Sequence, residues 1–340
     1  VKGRGYTPAE ENPDAFHGVS RFCVQTGEPV QAPKPSFSSV FGLAMCDLAE
    51  REKRLCAITA AMRDGTGLKD FSQQYPQRYF DVGIAEGHAV AMAAGMAKQG
   101  MIPVMPVYSS FLQRGYDMLL HDLSIQGLHV IFGIDRAGLV GEDGETHHGL
   151  FDVAYLATVP GMTVLAPASF AELSSMLSYA VRKVRGPVAL RYPRGGECGY
   201  QGDACGEKTA ILEHGQGITL VTYGTLTGNV LEVSARLKRE GYSSEVIKLN
   251  QIHPLDMAPI QASVVCTGRL LVAEECIAMG CVGERIAAQL LQAGVKVKGI
   301  ALCNVGEHFI SQGTMAELKK LCGLDTNSLY QKALEVLRRE

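Results

Sequence analysis

The chain has 340 residues, of which 46% are hydrophobic and 20% are charged, and its formal net charge is −3. That length and composition are typical of a two-domain globular protein with sizeable cores. The small net charge and the lack of long basic tracts argue against nucleic-acid or anionic-membrane partners, and no apolar run reaches the roughly 18 residues of a membrane span.

The chain opens with a polar, glycine- and proline-bearing segment over 1–35, which also contains His17 in a small apolar island. Such a composition is typical of a linker or tail, and we expect it to continue from a missing N-terminal domain. The ten cysteines form no C-x-x-C pair. This favours reduced thiols and a cytoplasmic protein.

Helix and strand patterns alternate over 36–195. Ser36 and Ser169 are suited to cap helices over Phe37–Arg54 and up to Lys183. Short apolar runs predict strands at Leu55–Thr59, Tyr79–Val82, Met101–Tyr108, Leu128–Asp135, Met162–Pro167 and Val188–Tyr192. Further helices are predicted at Phe71–Tyr75, Ile84–Ala97, Phe111–Gln126 and Phe151–Thr158.

A glycine-rich linker is predicted over 196–217, and a second alternating array follows over 218–340. Its predicted strands are Ile218–Tyr223, Glu245–Leu249, Leu270–Glu274 and Val297–Leu302. Its predicted helices are Leu226–Glu240, Met257–Ser263, Val282–Leu291, Met315–Leu321 and Ser328–Arg338. Two such arrays predict an α/β protein with two successive doubly wound, mainly parallel sheets.

Glu86 follows a short strand and lies in the first turn of an apolar helix. A carboxylate in that position is either a partner of the helix dipole or an acid/base group. In open α/β sheets ligands bind beyond the carboxyl ends of the strands, which favours a site here.

The loop 135–149 is long, polar and glycine-rich, and it carries Asp143, His147 and His148. It is either a solvated surface excursion or part of a site. The adjacent histidines could bind a metal, although no supporting ligand motif is present, and Asp143 and His147 suit acid/base chemistry better. Four arginines near strand ends are candidates for phosphate binding or for ordinary ion pairs: Arg114, Arg136, Arg191 and Arg194.

Several motifs resemble those of the 1-deoxy-D-xylulose-5-phosphate synthase family of transketolase-like enzymes. They are D-V-G-I-A-E-G-H-A-V, Y-S-S-F-L-Q-R-G-Y-D, D-R-A-G-L-V-G-E-D-G-E-T-H-H-G and L-R-Y-P-R-G, with K-G-R-G-Y-T-P-A-E and A-M-R-D-G-T-G before them. The resemblance implies a pyrimidine-binding domain and a transketolase C-terminal domain. It also implies a homodimeric transferase that uses thiamine diphosphate and Mg²⁺ to condense pyruvate with glyceraldehyde 3-phosphate. The products would be CO₂ and 1-deoxy-D-xylulose 5-phosphate, a precursor of isoprenoids, thiamine and pyridoxal.

The resemblance also implies roles for single residues. Glu86 matches the glutamate that hydrogen-bonds N1′ of the cofactor's aminopyrimidine, Phe111 matches the aromatic residue that packs on that ring, and Arg114 lies in the same pocket. The positions that match the holder of the substrate phosphate are Tyr108, Arg136 and Arg194. The positions that match polar groups beside the reacting atoms are His17, Asp143 and His147.

Two departures from the family pattern stand out. Gly87 replaces the usual Gln after the glutamate, so we expect a changed helix start with the chemistry intact. The family's G-D-G…N motif, which binds the diphosphate and Mg²⁺, is not in this sequence, so we expect no metal ligands here. Activity would then need a missing N-terminal domain or subunit. The alternatives are a non-catalytic dimerisation or regulatory module, or the β-subunit of another thiamine enzyme.

Overall fold

A computed structural model describes residues 3–13, 16, 21–30, 32 and 34–339. Its strands, numbered β1 to β12 in chain order, are Leu55–Thr59, Tyr79–Asp81, Ile102–Tyr108, Ile131–Asp135, Thr163–Leu165, Val188–Arg191, Thr209–Glu213, Ile218–Thr222, Ser244–Leu249, Gln251–His253, Arg269–Ala273 and Gly299–Cys303. The described strands form two sheets, with seven strands in the order β10-β5-β6-β4-β3-β1-β2 and five in the order β12-β11-β8-β9-β7.

Every pairing is parallel except β10 with β5 and β7 with β9. The prediction of two mainly parallel sheets is therefore confirmed. Central strands such as β1, β3 and β4 are buried along their whole length, because helices cover both faces of a parallel sheet. This explains why these strands appear in the sequence as continuous apolar runs instead of alternating patterns.

The α-helices, numbered α1 to α13, are Thr7–Glu11, Phe37–Arg51, Lys69–Gln74, Glu86–Lys98, Ser109–Leu112, Tyr116–Met118, Asp152–Leu156, Phe170–Arg182, Leu226–Arg239, Met257–Thr267, Val282–Gln292, Met315–Leu321 and Thr326–Leu337. Single 3₁₀ turns lie at Pro76–Arg78, Gln113–Gly115 and Gly141–Asp143, and a π-helical turn spans Leu119–Ser124. Both predicted caps are present. Ser36 Oγ accepts from the Ser39 amide, and Ser169 Oγ accepts from the Glu172 amide.

The helix predicted over Phe111–Gln126 was wrong as a single element. It is divided into α5, a 3₁₀ turn, α6 and the π-helical turn. Gly115 lies at the break, and a Cβ on it would be 3.0 Å from a methyl of Val90 in α4. The close approach of α4 therefore controls the local geometry, whereas the apolar periodicity predicted a continuous helix.

Two strands were not predicted. β7 lies within the glycine-rich segment 196–217, where Thr209–Glu213 forms an antiparallel edge of the second sheet. β10 follows β9 after a single residue and joins the first sheet beside β5. Both are edge strands, whose identity depends on the neighbour that pairs with them more than on their own propensity.

The two domains share buried contacts besides the β10–β5 pairing. Lys248 in β9 and Glu172 in α8 are both fully buried, and their Nζ and Oε1 atoms are 2.9 Å apart. Tyr200 and the Ala204 amide donate to the same carboxylate. A buried charge pair of this kind needs such additional hydrogen bonds to offset its desolvation. The segment between the domains is thereby held against both of them.

No helix within the described ranges is long and apolar enough to cross a membrane. All ten cysteines lie in those ranges, and each is a free thiol.

Candidate active site

Glu86 is the first residue of α4 and lies beyond the carboxyl end of β2. The turn before it is held by Asp81, whose Oδ1 accepts from the amides of Gly83 (3.0 Å) and Ala61 (2.9 Å). Glu86 is 4% exposed, and its Oε1 accepts a hydrogen bond of 2.8 Å from Arg114 Nη1. The helix dipole and this guanidinium both favour a carboxylate at the start of the helix.

A row of aromatic rings leads away from Glu86. Arg114 Cζ lies 5.7 Å from the centre of the Phe111 ring, so the same guanidinium contacts the carboxylate and the ring. The Phe111 ring is 5.4 Å from the Tyr108 ring and 5.3 Å from the His147 ring. Tyr108 ends β3, and a Cβ on Gly65 would be 2.6 Å from its hydroxyl. Glycine in the A-M-R-D-G-T-G loop therefore leaves room for this tyrosine.

Arg136 packs on the far end of this row. Its Cζ lies 3.9 Å from the centre of the Tyr108 ring, in a cation–π contact. Arg136 has a φ of +59°, a left-handed conformation that is costly for a residue other than glycine and recurs at functional sites. Burial raises the pKa of the Tyr108 hydroxyl, so it remains a neutral hydrogen-bonding group at physiological pH.

Residues 136–149, which follow β4, form a polar loop that closes on itself at a narrow neck between Gly138 and Gly149. The amides of Gly138 and Gly149 donate to each other's carbonyls at 2.8 Å. A Cβ on Gly149 would be 2.3 Å from the Arg136 carbonyl oxygen and 2.7 Å from Ser109 Oγ, so only glycine fits there.

Asp143 in the polar loop lies between two of the predicted phosphate-binding residues. Its Oδ2 accepts from Arg136 Nη1 and lies 3.2 Å from Arg194 Nη1. Arg194 also donates to the Val140 carbonyl at 2.9 Å. Two guanidiniums that converge on one carboxylate form an anion site, and here a carboxylate of the chain itself fills that site.

Arg191, the fourth strand-end arginine, has a different role. It is 6% exposed, and its Nε donates to Asp152 Oδ2 at 2.9 Å. Its Nη2 donates to the carbonyls of Gly149 (3.3 Å) and Glu275 (2.8 Å). Arg191 is therefore an internal ion-pair residue that ties the neck of the polar loop to the second domain, and it is not a phosphate ligand.

Asp135 is a buried carboxyl group directly beneath this site. It is 0% exposed, and Ser38 Oγ donates to its Oδ2 at 2.7 Å. Its Oδ1, like the buried hydroxyl of Tyr192, has no hydrogen-bond partner among the described residues. Burial raises the pKa of Asp135 to about 7, against the opposing effects of Ser38 and Arg136. The sequence places this residue at a strand end but does not predict its burial, because the burial depends on what packs over it.

Replacing Asp135 with Asn should flatten the pH dependence of stability. Since the folded-state pKa of Asp135 is raised, its contribution to the free energy of unfolding is fully present below about pH 4 and is lost as the pH rises through about 7. The free energy of unfolding of the native protein should therefore fall by about 3 kcal/mol between pH 5 and pH 8 because of this carboxyl group. Asn keeps an oxygen for Ser38 and does not ionise. Urea unfolding at pH 5, 6, 7 and 8 measures the difference.

The exposed Asp47 provides the matched control, and Asp47→Asn should leave the pH profile of the native protein unchanged. Parallel profiles for the native protein and Asp135→Asn would show that Asp135 stays ionised in the fold.

Apart from Arg191 and His148, the structure brings together every candidate site residue that it describes. Consecutive contacts run from Glu86 through Arg114, Phe111, Tyr108, Arg136 and Asp143 to Arg194, and His147 joins this series at Phe111. His17 lies outside the described residues. His148 is directed away from His147 into a buried contact. In the described part of the chain no group of three or more His, Cys, Asp or Glu residues is arranged to hold a metal ion.

Helix α4 begins at Glu86 itself, with Gly87 inside its first turn. A Cβ on Gly87 would be 3.0 Å from the terminal methyl of Met118. A larger residue at this position would therefore have to displace Met118, which is an unbranched and adaptable side chain.

Models of two domain families match most of the chain. The model of the transketolase pyrimidine-binding domain matches residues 33–196, and the model of the transketolase C-terminal domain matches residues 207–329.

Two solved structures share the fold. A split-gene transketolase, described as an inactive beta4 tetramer, has a TM-score of 0.79 and 24% identity over 90% of this chain and 99% of that chain. Transketolase from Leishmania mexicana has a TM-score of 0.73 and 17% identity over 92% of this chain and 47% of that chain.

Curated relatives are more similar in sequence. The 1-deoxy-D-xylulose-5-phosphate synthase of Carboxydothermus hydrogenoformans is 42% identical over 99% of this chain and 55% of its own length. The enzyme of the same name from Chlorobaculum tepidum is 43% identical over 98% of this chain and 54% of its own length. The chain thus spans about half the length of the curated relatives it matches. It belongs to the transketolase-like family, and it is similar to the C-terminal part of proteins named 1-deoxy-D-xylulose-5-phosphate synthase.

Proposed function

We propose that the chain is the C-terminal part of a thiamine-diphosphate-dependent synthase that condenses pyruvate with glyceraldehyde 3-phosphate to 1-deoxy-D-xylulose 5-phosphate and CO₂. One observation carries the proposal. A buried carboxylate and a two-arginine anion site lie at opposite ends of one row of aromatic rings. This arrangement suits a reaction that needs a flat heterocyclic cofactor at one end and a phosphorylated aldehyde at the other.

The residues present fit an aminopyrimidine. Glu86 offers a buried anionic acceptor, and Phe111, joined to it through Arg114, offers a flat apolar surface. We propose that Glu86 holds a hydrogen bond at N1′ of the pyrimidine and that Phe111 packs on the ring. When bound, thiamine diphosphate supplies the electron sink for the decarboxylation of pyruvate. The chain's own contribution is position and electrostatics.

The second half of the site is proposed to recognise the phosphate of glyceraldehyde 3-phosphate. Arg136 and Arg194 would take the phosphate in place of Asp143, and the neutral Tyr108 hydroxyl would donate to it. Release from the arginines would free Asp143 to act, with His147, as a polar group beside the reacting atoms. His147 lies against Phe111, between the proposed cofactor and phosphate positions.

We further propose that Mg²⁺ and the diphosphate are bound by residues beyond this sequence, on an N-terminal domain or on a partner chain. The half-length coverage of the curated relatives supports this. The family resemblance also supports a cytoplasmic homodimer, and the ten free thiols agree with a reducing compartment.

Reconstitution tests the proposed function. Co-expression with a partner that carries the G-D-G…N motif should yield synthase activity, measured as 1-deoxy-D-xylulose 5-phosphate formed from the two substrates. The chain alone should be inactive and should bind Mg²⁺–thiamine diphosphate no tighter than about millimolar, on the order of −4 kcal/mol.

Micromolar, metal-dependent binding to the chain alone would contradict the proposed division of the cofactor site. A folded complex without activity would favour the alternatives, a non-catalytic dimerisation or regulatory module, or the β-subunit of another thiamine enzyme with a different acceptor.

A further inference from the structure

His148 is a buried histidine of the polar loop that the proposed chemistry does not use. It is 3% exposed. The Val140 amide donates to its Nδ1 at 3.0 Å, and its Nε2 lies 3.4 Å from the Ser311 carbonyl oxygen. Because Nδ1 accepts, the proton of the neutral ring is on Nε2, which then donates to Ser311. Burial lowers the pKa of His148 and so favours this neutral form.

The segment 311–314 belongs to the second domain and also contacts the tip of the polar loop. The Gly313 amide donates to the Gly141 carbonyl at 3.4 Å. Gly144 has a φ of +71°, and a Cβ on it would be 3.2 Å from Cβ of Gln312. The tip of the loop therefore rests on the second domain, and His148 is the loop side chain that reaches across to it.

Val140, whose amide is held by His148, is also held by the anion site through its carbonyl. The Val140 amide donates to His148, while the Val140 carbonyl accepts from Arg194 at 2.9 Å. Asp143 follows three residues later, paired with Arg194 and Arg136. The position of the Asp143 carboxylate thus depends on an anchor in the other domain.

We propose that His148 is a positioning residue that ties the polar loop to segment 311–314 and thereby keeps the Asp143 carboxylate at Arg136 and Arg194. Such a tether raises the effective concentration of the carboxylate at the arginines. An incoming phosphate has to displace it. The catalytic importance of the tether rests on the proposed function, whereas the tether itself does not.

Three substitutions distinguish the contributions of the two hydrogen bonds of His148, the one at Nδ1 and the one at Nε2. His148→Asn retains an acceptor near the place of Nδ1, His148→Gln retains a donor near the place of Nε2, and His148→Leu removes both at similar volume. Hydrogen exchange in the purified 340-residue chain measures the amides of Val140 and Gly313. We expect at least about tenfold faster exchange at both amides in the Leu variant, protection at Val140 in the Asn variant and protection at Gly313 in the Gln variant.

Titration with inorganic phosphate distinguishes a positioning role from a merely structural one, because the two roles predict opposite changes in phosphate affinity. Loosening the tether should let phosphate bind about threefold or more tightly in His148→Leu, since Asp143 competes less well. A merely structural role would weaken phosphate binding. His129→Gln is the matched control, because His129 contacts the Gly186 carbonyl outside the polar loop and should change neither readout.

Unchanged exchange at Gly313 in His148→Leu would overturn the proposal, as would phosphate that binds the native chain but binds the Leu variant no more tightly. Neither measurement uses synthase activity. A failed reconstitution would therefore count against the proposed function without affecting this result.

Discussion

Glu86→Gln is expected to lower the turnover of the reconstituted synthase by about 10²-fold or more, with little change in folding. Gln keeps an oxygen that can accept from Arg114 Nη1, so the contact that holds the helix start persists. The negative charge and the ability to hold a proton at N1′ are lost. General acid–base catalysis by a positioned group contributes about 10²–10⁴-fold, which sets the expected effect.

A Glu→Gln substitution at another helix start distinguishes an acid/base role of Glu86 from a purely helix-dipole role. Glu284 is also an acidic residue in the first turn of a helix, α11, and its Oε2 accepts from the Gly280 amide at 2.7 Å. Glu284→Gln removes a helix-dipole partner worth about 0.3–1 kcal/mol and should leave turnover unchanged. Near-normal turnover in Glu86→Gln would show that Glu86, like Glu284, has a purely structural role.

Arg136→Met and Arg194→Met should each lower kcat/KM for glyceraldehyde 3-phosphate by about 10- to 10²-fold. A hydrogen bond to a charged group contributes about 1.5–3 kcal/mol, which corresponds to that range. The loss should appear mainly in the KM for the phosphorylated aldehyde, while the KM for pyruvate changes little, because the two arginines lie at the end of the site remote from Glu86. Steady-state kinetics with each substrate varied in turn measures both.

Two further variants sharpen this prediction. Arg182→Met removes an exposed arginine at the end of α8 and should have no kinetic effect. Asp143→Asn removes the internal competitor and should tighten the binding of inorganic phosphate, the opposite of the arginine variants. Equal losses for pyruvate and the phosphorylated aldehyde in Arg136→Met would show that the arginines do not form a phosphate site.

Much of the fold was predictable because its strongest signals are local. The Leu55–Thr59 strand is observed with the predicted bounds, since an apolar run between charged and glycine-rich segments has few other ways to bury itself. The Ser36 and Ser169 caps were likewise predictable from residue type. β7 and β10 were missed because their strand character comes from pairing across sheet edges, between residues distant in the sequence.

The residues of the site were predictable from the sequence, but the ion pairs among them were not. Motifs place Glu86, Tyr108, Arg136 and Arg194 at strand ends, and parallel strands bring those ends together. The sequence does not say which acid meets which arginine, and here Asp143 pairs with two of the arginines while Arg191 is buried against Asp152. Such outcomes depend on side-chain burial and on contacts between domains.

The place of β10 bears on how this protein can be divided. Its three residues come after the glycine-rich segment, yet they complete the sheet that precedes that segment. Separation of the two halves within 196–217 would leave β5 paired with β6 only and expose its other edge, and an open sheet edge of that kind invites aggregation. The unit that evolution or an engineer could fuse, exchange or transfer is therefore the two-domain pair, and neither half by itself.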